Sequence, residues 1–318
     1  MLYRYYNKSI ENNRKNEVIS MFDIIIIGAG NAGLSAAIYA TSRGKKVLVL
    51  EKAAIGGLIR KVSNVTHFLG AETGESGESY CRKLERLVEK LHIDVAYEAV
   101  TAVDLVGDVK TVTTEKGTYQ ARRIIIANGT TGRDLPVEGR EKLAGKGYGL
   151  NAVLHGEAYR GRHVYVIGAG DGAIKEAIYL AGLAEKVTIL CAGSHLDCIA
   201  EFAGKIAATE NAEILYETEL VRVSGEEQVE SLELRDMRTG TTRTVEDRGC
   251  GIFTYAGTVP NTGLYTQLKL ENGYIPVDDD MQTEIEGVFA VGDIRVKDVR
   301  QISTAVSDGT IAGIKACR

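Results

Sequence analysis

Two strand–turn–helix units with glycine-rich turns constrain the fold of this chain more than any other feature. The first begins with a β-branched apolar run over 22–27 and continues through Gly28-Ala29-Gly30-Asn31-Ala32-Gly33 into a predicted helix over 34–42. A second apolar strand over 46–50 then ends in Glu51. A glycine-rich turn between strand and helix, followed about 20 residues later by an acid, is typical of a dinucleotide-binding β-α-β unit.

The second unit repeats this pattern later in the chain. An apolar strand over 164–167 leads into Gly168-Ala169-Gly170-Asp171-Gly172-Ala173, a predicted helix to about 184 and a strand over 187–190. Its candidate nucleotide-binding residues are Gly168, Gly170, Asp171 and Ala173. Two such units predict an α/β fold with two Rossmann-like, three-layer domains.

The order of the remaining elements predicts that the first domain is discontinuous. Strand-forming runs over 94–127 precede the second unit, and a strand over 287–291, Gly292-Asp293 and a helix over 302–315 follow it. We therefore expect one domain over 21–132 and 250–318, with the other over 133–249. Residues 1–20 are polar and lack an apolar signal region, so they indicate a disordered leader or an over-long start, a functional arm being the open alternative.

Composition excludes several classes of function. A net charge of −5 argues against nucleic acid as a partner, because phosphate binding requires clustered Lys and Arg. No apolar run approaches the roughly 18 residues needed to span a membrane. The five cysteines include no C-x-x-C pair, which favours free thiols in the cytoplasm. No His, Cys, Asp or Glu grouping has metal-ligand spacing.

Further motifs make the chain resemble the low-molecular-weight thioredoxin reductase family from residue 21 to residue 318. The segments that carry the resemblance, besides the two glycine turns, are Gly56-Gly57-Leu58, His67-Phe68-Leu69-Gly70, Ala127-Asn128-Gly129, Gly257-Thr258-Val259-Pro260-Asn261-Thr262, Gly292-Asp293 and Arg300-Gln301.

The resemblance implies that the first domain binds FAD, that the second binds NAD(P)H and that the protein is a homodimer. It places Glu51 on a ribose hydroxyl, Asp293 on the ribityl or phosphate region, and Arg300-Gln301 at the flavin beside a helix N-terminus. The FAD-binding residues that it implies are Gly28, Gly30, Asn31, Ala32, Gly33, Glu51, Lys52, Gly56, Gly57, Leu58, His67, Ala127, Asn128, Gly129, Gly292, Asp293, Arg300, Gln301 and Ile302.

The chain departs from the family where the redox-active dithiol should be. The family carries Cys-x-x-Cys-Asp-Gly there, whereas this chain has Asn151 and Leu154 at the cysteine positions and His155 in place of the acid. Electron transfer from flavin to a disulfide needs an attacking thiolate and a resolving thiol, and Asn and Leu supply neither. Two interpretations of His155 stay open: a proton donor near the flavin, or a surface histidine on a turn.

A second departure lies in the predicted nucleotide-binding domain. The family follows its second strand with His-Arg-Arg, which reads the 2′-phosphate of NADPH, whereas Cys191-Ala192-Gly193 stands here. No arginine is present to hold a 2′-phosphate, and no acid to hold an NAD ribose. The turn at 168–173 is therefore open to two interpretations, a nucleotide site or an empty vestige.

Three functions are compatible with these features. The leading hypothesis is an FAD-dependent oxidoreductase without a catalytic dithiol, which moves electrons between FAD and a nicotinamide nucleotide or a ferredoxin- or flavodoxin-type carrier. Its closest analogy is the thioredoxin reductase-like ferredoxin/flavodoxin–NADP reductases. One alternative is a non-catalytic flavin-binding or regulatory protein. The other is a disulfide reductase that uses the remote cysteines Cys191, Cys198 and Cys317.

Overall fold

The computed structural model describes residues 21–318, and the predicted leader over 1–20 lies outside the described residues. The described chain forms two compact units. The first comprises residues 21–57, 84–129 and 260–318, and the second comprises 58–83 and 130–259. Each contains a parallel sheet with apolar cores on its two faces, which confirms the prediction of an α/β chain with two Rossmann-like domains.

The strands are β1 (Met21–Ile27), β2 (Val47–Glu51), β3 (Val95–Tyr97), β4 (Val100–Asp104), β5 (Lys110–Thr114), β6 (Thr118–Ile126), β7 (Thr130–Gly132), β8 (His163–Ile167), β9 (Lys186–Leu190), β10 (Ala212–Leu215), β11 (Thr218–Ser224), β12 (Ser231–Asp236), β13 (Thr242–Glu246), β14 (Gly251–Thr254), β15 (Thr258–Pro260) and β16 (Val288–Ala290). The α-helices are α1 (Asn31–Thr41), α2 (Gly77–Lys90), α3 (Arg140–Leu143), α4 (Ala152–His155), α5 (Asp171–Ala181), α6 (Ala200–Ala207) and α7 (Ile302–Lys315). Short 3₁₀ helices cover Gly57–Lys61, Gly156–Tyr159 and Gly292–Ile294.

The sheet of the first unit has the strand order β3-β2-β1-β6-β5-β4, and β16 also pairs with β6. Strands β1, β2, β3, β6 and β16 are parallel, while β4 and β5 continue the sheet in antiparallel pairing. Alternate residues of β1 enter different cores: Ile24 and Ile26 pack with α1, and Ile25 and Ile27 pack on the opposite face. Burial on both faces explains why this strand is apolar without interruption.

Helices α1 and α7 of the first unit pack backbone against backbone. A β-carbon at Gly309 would collide with the carbonyl oxygen of Ala32, and one at Gly313 would lie 2.5 Å from the carbonyl oxygen of Ala36. Only glycine permits this approach, so the small residues of α7 determine how closely it lies on α1.

The second unit repeats the arrangement with a parallel sheet of order β10-β9-β8-β14. One face packs against α5 and α6 through residues such as Val164 and Ile189, and the other packs against the antiparallel sheet β11-β12-β13 through residues such as Tyr165 and Leu234. Within residues 21–318, no helix is long and apolar enough to cross a membrane.

The segment 58–83 differs from its predicted place. We expected it in the FAD-binding domain, whereas it packs within the second unit, and the unit boundaries lie at 129/130 and 259/260 instead of 132/133 and 249/250. The cause is polar: the buried Glu176 carboxylate accepts from the Ser63 amide at 3.0 Å, and Lys175 Nζ donates to the Asn64 carbonyl at 2.9 Å. A buried carboxylate requires such donors.

Replacing Gly309 by alanine is expected to lower the free energy of unfolding by about 1–3 kcal/mol, because the added methyl group meets backbone that has no free rotamer to adopt. Gly204→Ala in α6 is the control, since a β-carbon there meets no atom within 4 Å. That control should leave stability unchanged or raise it by up to about 1 kcal/mol. Urea unfolding followed by circular dichroism makes the comparison, and equal stability of the two variants would contradict the close packing of α1 and α7.

Candidate functional site

The carboxyl ends of the parallel strands in the first unit meet at one edge of the sheet, where ligands bind in open α/β folds. Backbone hydrogen bonds tie the ends together: the Gly28 amide donates to Leu50, and the Ala127 amide donates to Ile27, each at 2.8 Å. The segments that leave these strand ends are the glycine turn Gly28–Gly33, Glu51-Lys52, Ala127–Gly129 and Gly292-Asp293. Four of the predicted segments are therefore neighbours.

The three glycines of the first turn have different physical roles. Gly28 has a φ of +108°, and a β-carbon there would lie 2.5 Å from the carbonyl oxygen of Ala127. A β-carbon at Gly33 would collide with the Gly28 carbonyl oxygen, whereas one at Gly30 would meet no atom within 4 Å. The first and third glycines thus allow close packing, and the second borders open space at the start of α1.

This open space suits an anion. Gly30 caps α1 without a side-chain hydrogen bond, and the first turn of the helix contains no acidic residue. The amides of a helix N-terminus attract negative charge when no side chain satisfies them. A pyrophosphate fits the turn in both shape and charge.

Glu51 is held beside the same turn. Its side chain is buried, Oε2 accepts from the Ala29 amide at 2.9 Å and Oε1 accepts from the Ala53 amide at 2.8 Å. Because each carboxylate oxygen can accept more than one hydrogen bond, both retain capacity for a ribose hydroxyl. Gly56 also lies along the turn, since its amide donates to the Ala29 carbonyl at 2.9 Å. Lys52 is exposed.

Asn128 is committed to the protein itself, which sequence reasoning missed. Its Nδ2 donates to the Asn261 carbonyl at 3.1 Å, while Asn261 Nδ2 donates back to the Asn128 carbonyl at 2.7 Å. The hydroxyl of the fully buried Tyr265 donates to Asn128 Oδ1 at 2.9 Å, and burial raises the pKa of that phenol. The side chain of Asn128 therefore joins two segments of the first unit.

Asp293 offers an acceptor that the protein does not satisfy. Its Oδ1 is buried and, among residues 21–318, has no hydrogen-bond donor within reach, while Lys297 Nζ lies 3.9 Å away. Burial raises the pKa of this carboxyl, and the charges of Lys297 and Arg300 oppose that rise. A buried acceptor without a partner is expected where a ligand supplies the donor, so Asp293 fits a cofactor hydroxyl.

The residues after Asp293 prepare the start of α7. The Arg300 guanidinium lies over the Tyr274 ring at 4.3 Å from its centroid. Gln301 caps the helix in a reciprocal capping box with Thr304, so the helix begins at Ile302. Such a cap fixes the orientation of the first helical turn.

Two of the predicted FAD-binding residues, Leu58 and His67, lie in the second unit with the segment 58–83. His67 adopts a left-handed φ of 55°, its Nε2 lies 3.0 Å from Glu201 Oε2, and its ring contacts Phe202 edge to face. The Nε2 of His67 is therefore paired with Glu201, also of the second unit. Leu58 is exposed.

At the position of the family's dithiol, Asn151 starts a short helix. Its Oδ1 accepts from the amides of Val153 and Leu154 at 3.1 Å each, and its Nδ2 donates to the Lys61 carbonyl at 3.0 Å. The Asn151 amide in turn donates to His155 Nδ1 at 2.9 Å. The neutral His155 ring therefore carries its proton on Nε2. Asn151 therefore acts as the N-cap of α4.

The helix after the second glycine turn has an acid in its first helical turn, whereas α1 has none there. Asp171 opens α5, and its Oδ1 accepts from the Ile199 amide at 2.8 Å. The Asp197 amide donates to the Ala169 carbonyl at 3.0 Å, and Asp197 forms a β-bridge with Gly170. The loop around 197–199 thus lies against the turn, and the Asp171 carboxylate in the first turn of α5 opposes a pyrophosphate at this helix N-terminus.

A cavity of about 180 Å³ lies at the carboxyl ends of β8 and β9. Ile167, Leu190 and Ala192 give it an apolar wall, and Arg235 is the cationic side chain in its lining. Arg235 is paired with Glu219 of the neighbouring strand. Its charge is already balanced, and a 2′-phosphate would have to compete with that carboxylate.

Four of the five cysteines are not activated as nucleophiles. Burial raises the pKa of the Cys191, Cys198 and Cys317 thiols above the ordinary value, and also that of Cys250. Cys191 Sγ donates to the carbonyls of Gly193 and His195 at 3.3 Å each. Thiols with raised pKa values carry little thiolate at neutral pH. Residues 21–318 also contain no group of His, Cys, Asp and Glu that can hold a metal ion.

Comparison with known proteins matches residues 22–309 to the family of pyridine nucleotide-disulphide oxidoreductases. A thioredoxin reductase of Treponema pallidum is 36% identical over 293 residues, which cover 92% of this chain and 94% of that protein. A solved thioredoxin reductase of Lactococcus lactis has a TM-score of 0.89 and 33% identity, covering 93% of this chain and 97% of the other. A ferredoxin-flavin thioredoxin reductase of Clostridium acetobutylicum has a TM-score of 0.51 and 28% identity, covering 93% and 97%.

Replacing Asn151 by alanine is expected to lower the free energy of unfolding by about 0.5–2 kcal/mol, because two amides at the start of α4 lose their acceptor. Leu154→Ala serves as the control, since the Leu154 side chain is 58% exposed and should contribute less than about 0.5 kcal/mol. Urea titration of both variants against the parent protein measures the difference. Unchanged stability of Asn151→Ala would show that the cap is dispensable.

Proposed function

This chain belongs to the pyridine nucleotide-disulphide oxidoreductase family, and we propose that it moves electrons through FAD without a protein dithiol and receives them from a ferredoxin- or flavodoxin-type carrier. The family and its thioredoxin reductase relatives make the chain an FAD-dependent oxidoreductase. The observation that carries the choice of carrier is the acidic, loop-covered turn at the start of α5.

The residues at the edge of the first sheet fit FAD. The Gly30 turn presents helix amides and open space to a pyrophosphate, Glu51 presents two oxygens to a ribose, and Asp293 presents a buried acceptor to a hydroxyl. Bound FAD supplies electron transfer in single or paired steps. The protein's part in this proposal is to position the cofactor and to place the N-terminus of α7 beside it.

Two features support a mechanism without a dithiol. The chain has no C-x-x-C pair, and Asn151, at the first cysteine position implied by the resemblance, caps α4. The remaining cysteines that the alternative needs, Cys191, Cys198 and Cys317, all have raised thiol pKa values. A disulfide reductase that uses remote cysteines is therefore disfavoured on chemical grounds.

The second unit supports a protein carrier as the electron source. A nicotinamide nucleotide needs a phosphate site at the start of α5, where Asp171 lies and the loop of Asp197 packs. After β9, NADPH also needs a cation and NADH an acid, whereas Ala192 and Gly193 follow Cys191 there. Carboxylates at this helix N-terminus repel phosphate and already satisfy the helix dipole. One solved relative is described as a ferredoxin-flavin thioredoxin reductase, and that description pairs a ferredoxin with a flavin enzyme.

A non-catalytic flavin-binding or regulatory protein is the second candidate. The same losses in the second unit favour it, because a redox enzyme has to be supplied with electrons. The buried acceptor of Asp293 and the capped start of α7 favour catalysis instead. The homodimer implied by the resemblance stays a prediction.

Anaerobic reduction of the FAD-bound protein tests the proposal. We expect reduced ferredoxin or flavodoxin to bleach the oxidised flavin absorbance rapidly, and NADPH and NADH to leave it unchanged, because the second glycine turn repels their pyrophosphate. Dithionite is the control for a reducible flavin. Rapid bleaching by either nucleotide would overturn the nicotinamide-independent mechanism. Bleaching by dithionite alone would favour the non-catalytic candidate.

Replacing Gly30 by alanine is expected to lower the FAD content of the purified protein by about tenfold, because the methyl group fills the space that a pyrophosphate needs without touching protein atoms. Gly170→Ala is the matched control at the second turn, where the nearest atom to a β-carbon is the Asp197 carbonyl oxygen at 3.6 Å. Flavin absorbance per protein and the melting temperature are measured for both. A parent-like FAD content in Gly30→Ala would remove the cofactor from this turn.

A further inference from the structure

Four charged side chains form a cluster after β16 in the first unit. Asp308 of α7 is buried, its Oδ1 accepts from Arg295 Nη2 and its Oδ2 accepts from Arg295 Nε, at 2.8 Å each. The same Oδ2 accepts from Lys297 Nζ at 3.0 Å and from the Gly292 amide at 3.1 Å. Arginine and lysine together hold the pKa of Asp308 below its ordinary value despite burial.

The charges of this cluster indicate that Lys297 also neutralises a second acid, Asp293. The bidentate Arg295 already neutralises Asp308, because a guanidinium matches a carboxylate with two parallel hydrogen bonds. The Lys297 side chain is only 6% exposed, and its Nζ lies 3.9 Å from Asp293 Oδ1, the buried oxygen that no donor in residues 21–318 satisfies. A buried ammonium requires a counter-charge, and Asp293 is the acid left over.

Lys297 also reaches the start of α7. Its Nζ donates to Thr304 Oγ1 at 3.2 Å, and Thr304 forms the capping box of the helix with Gln301. One side chain thus contacts Asp293, the middle of α7 through Asp308, and the first turn of α7 through Thr304. Lys297 thus links Asp293 to Gln301 through Thr304, and under the proposed function both Asp293 and Gln301 lie near FAD.

We propose that Lys297 is a positioning residue for FAD: its buried ammonium holds the Asp293 carboxylate ionised and in place, so that Asp293 can accept a hydrogen bond from a cofactor hydroxyl. This inference rests on FAD binding at the first unit and not on the identity of the electron donor. At 3.9 Å the Lys297 ammonium does not hydrogen-bond Asp293 Oδ1, so this oxygen keeps its capacity for a cofactor hydroxyl, and the Asp293 side chain is 35% exposed. Arg300 is the second cation near this carboxyl and also opposes the rise of the Asp293 pKa, whereas the charge of Asp308 adds to that rise.

The experiment follows release of FAD from the FAD-bound protein after dilution, by the fluorescence of the free flavin. Lys297→Met and Lys297→Gln are expected to speed release about tenfold or more, because Asp293 loses the charge that keeps it ionised. The control is Lys315 at the end of α7, whose ion pair with Asp280 is on the surface, so Lys315→Met should release FAD at the parent rate.

A double-mutant cycle separates positioning from a general effect on stability. Asp293→Asn should speed release by a similar factor, and adding Lys297→Met to it should change the rate by less than about threefold, since coupled residues are non-additive. Full additivity, or a parent-like rate in either Lys297 variant, would overturn the proposal. A parent-like rate in Asp293→Asn would overturn it as well, by removing Asp293 from FAD binding.

The pH dependence provides an independent readout. Burial raises the pKa of Asp293 and Lys297 opposes the rise, so removal of Lys297 should raise that pKa further. Acid-accelerated release of FAD should therefore begin at a higher pH in Lys297→Gln than in the parent and should be absent in Asp293→Asn. Identical pH profiles of the parent and Lys297→Gln would contradict the role assigned to the ammonium. None of these rates depends on a reductant, so they stand whether or not a ferredoxin reduces the protein.

Discussion

The backbone-to-backbone packing around the first glycine turn is the constraint on which the cofactor site depends. Gly28 lies against Ala127, Gly33 lies against Gly28, and Gly309 of α7 lies against Ala32 of α1. Each contact excludes a side chain, so the turn, the end of β6 and helix α7 have one closely defined arrangement. That arrangement leaves Gly30 beside open space, and it places Gly292-Asp293 next to Ala32. Close packing around the turn thus leaves open space beside Gly30, where we propose that the cofactor binds.

Much of this could be predicted from the sequence, because the relevant signals are local. The structure contains the elements that these signals predict. They are the two glycine turns at 28–33 and 168–173, the apolar strand before each turn, and the helix over 302–315. What could not be predicted depends on distant partners. Asn128 pairs with Asn261 and Tyr265, and nothing in Ala127-Asn128-Gly129 indicates that the amide is used internally. The place of the segment 58–83 depends on its contact with Glu176, a residue about 100 positions later in the chain. No local pattern reveals that Glu176 is buried. One signal was available for the charged cluster: Asp308 lies three residues after Ala305 and four before Ala312, on the small, apolar face of α7, where an unpaired acid is costly.

The two glycine turns have similar backbones but different charged groups and neighbours. Both follow a parallel strand and open a helix, and both begin with a glycine of positive φ that touches a neighbouring carbonyl oxygen. They differ in charge and cover. The first has no acid in its helical turn, whereas the second has Asp171 and the loop around Asp197. Because an anion at a helix N-terminus competes with any carboxylate already there, this difference is the basis for proposing a phosphate site at the first turn and not at the second.

The start of α4, where the resemblance places the family's dithiol, illustrates how the same helix amides can serve either a thiolate or a side-chain cap. A C-x-x-C motif at a helix start depends on the helix N-terminus to stabilise a thiolate. Asn151 uses the same amides differently, since its side-chain oxygen accepts from Val153 and Leu154 and its amide group binds the Lys61 carbonyl. The amides that could stabilise a thiolate here bind the side chain of Asn151 and so stabilise the helix. The Leu154 side chain is apolar and exposed, and it needs no polar partner. Under the proposed function, the charges that act on a flavin then lie in the first unit, at Asp293, Lys297 and Arg300. The Lys297 ammonium is only 6% exposed, and a buried ammonium is costly without its acidic partners, so the fold retains it only together with Asp293 and Asp308.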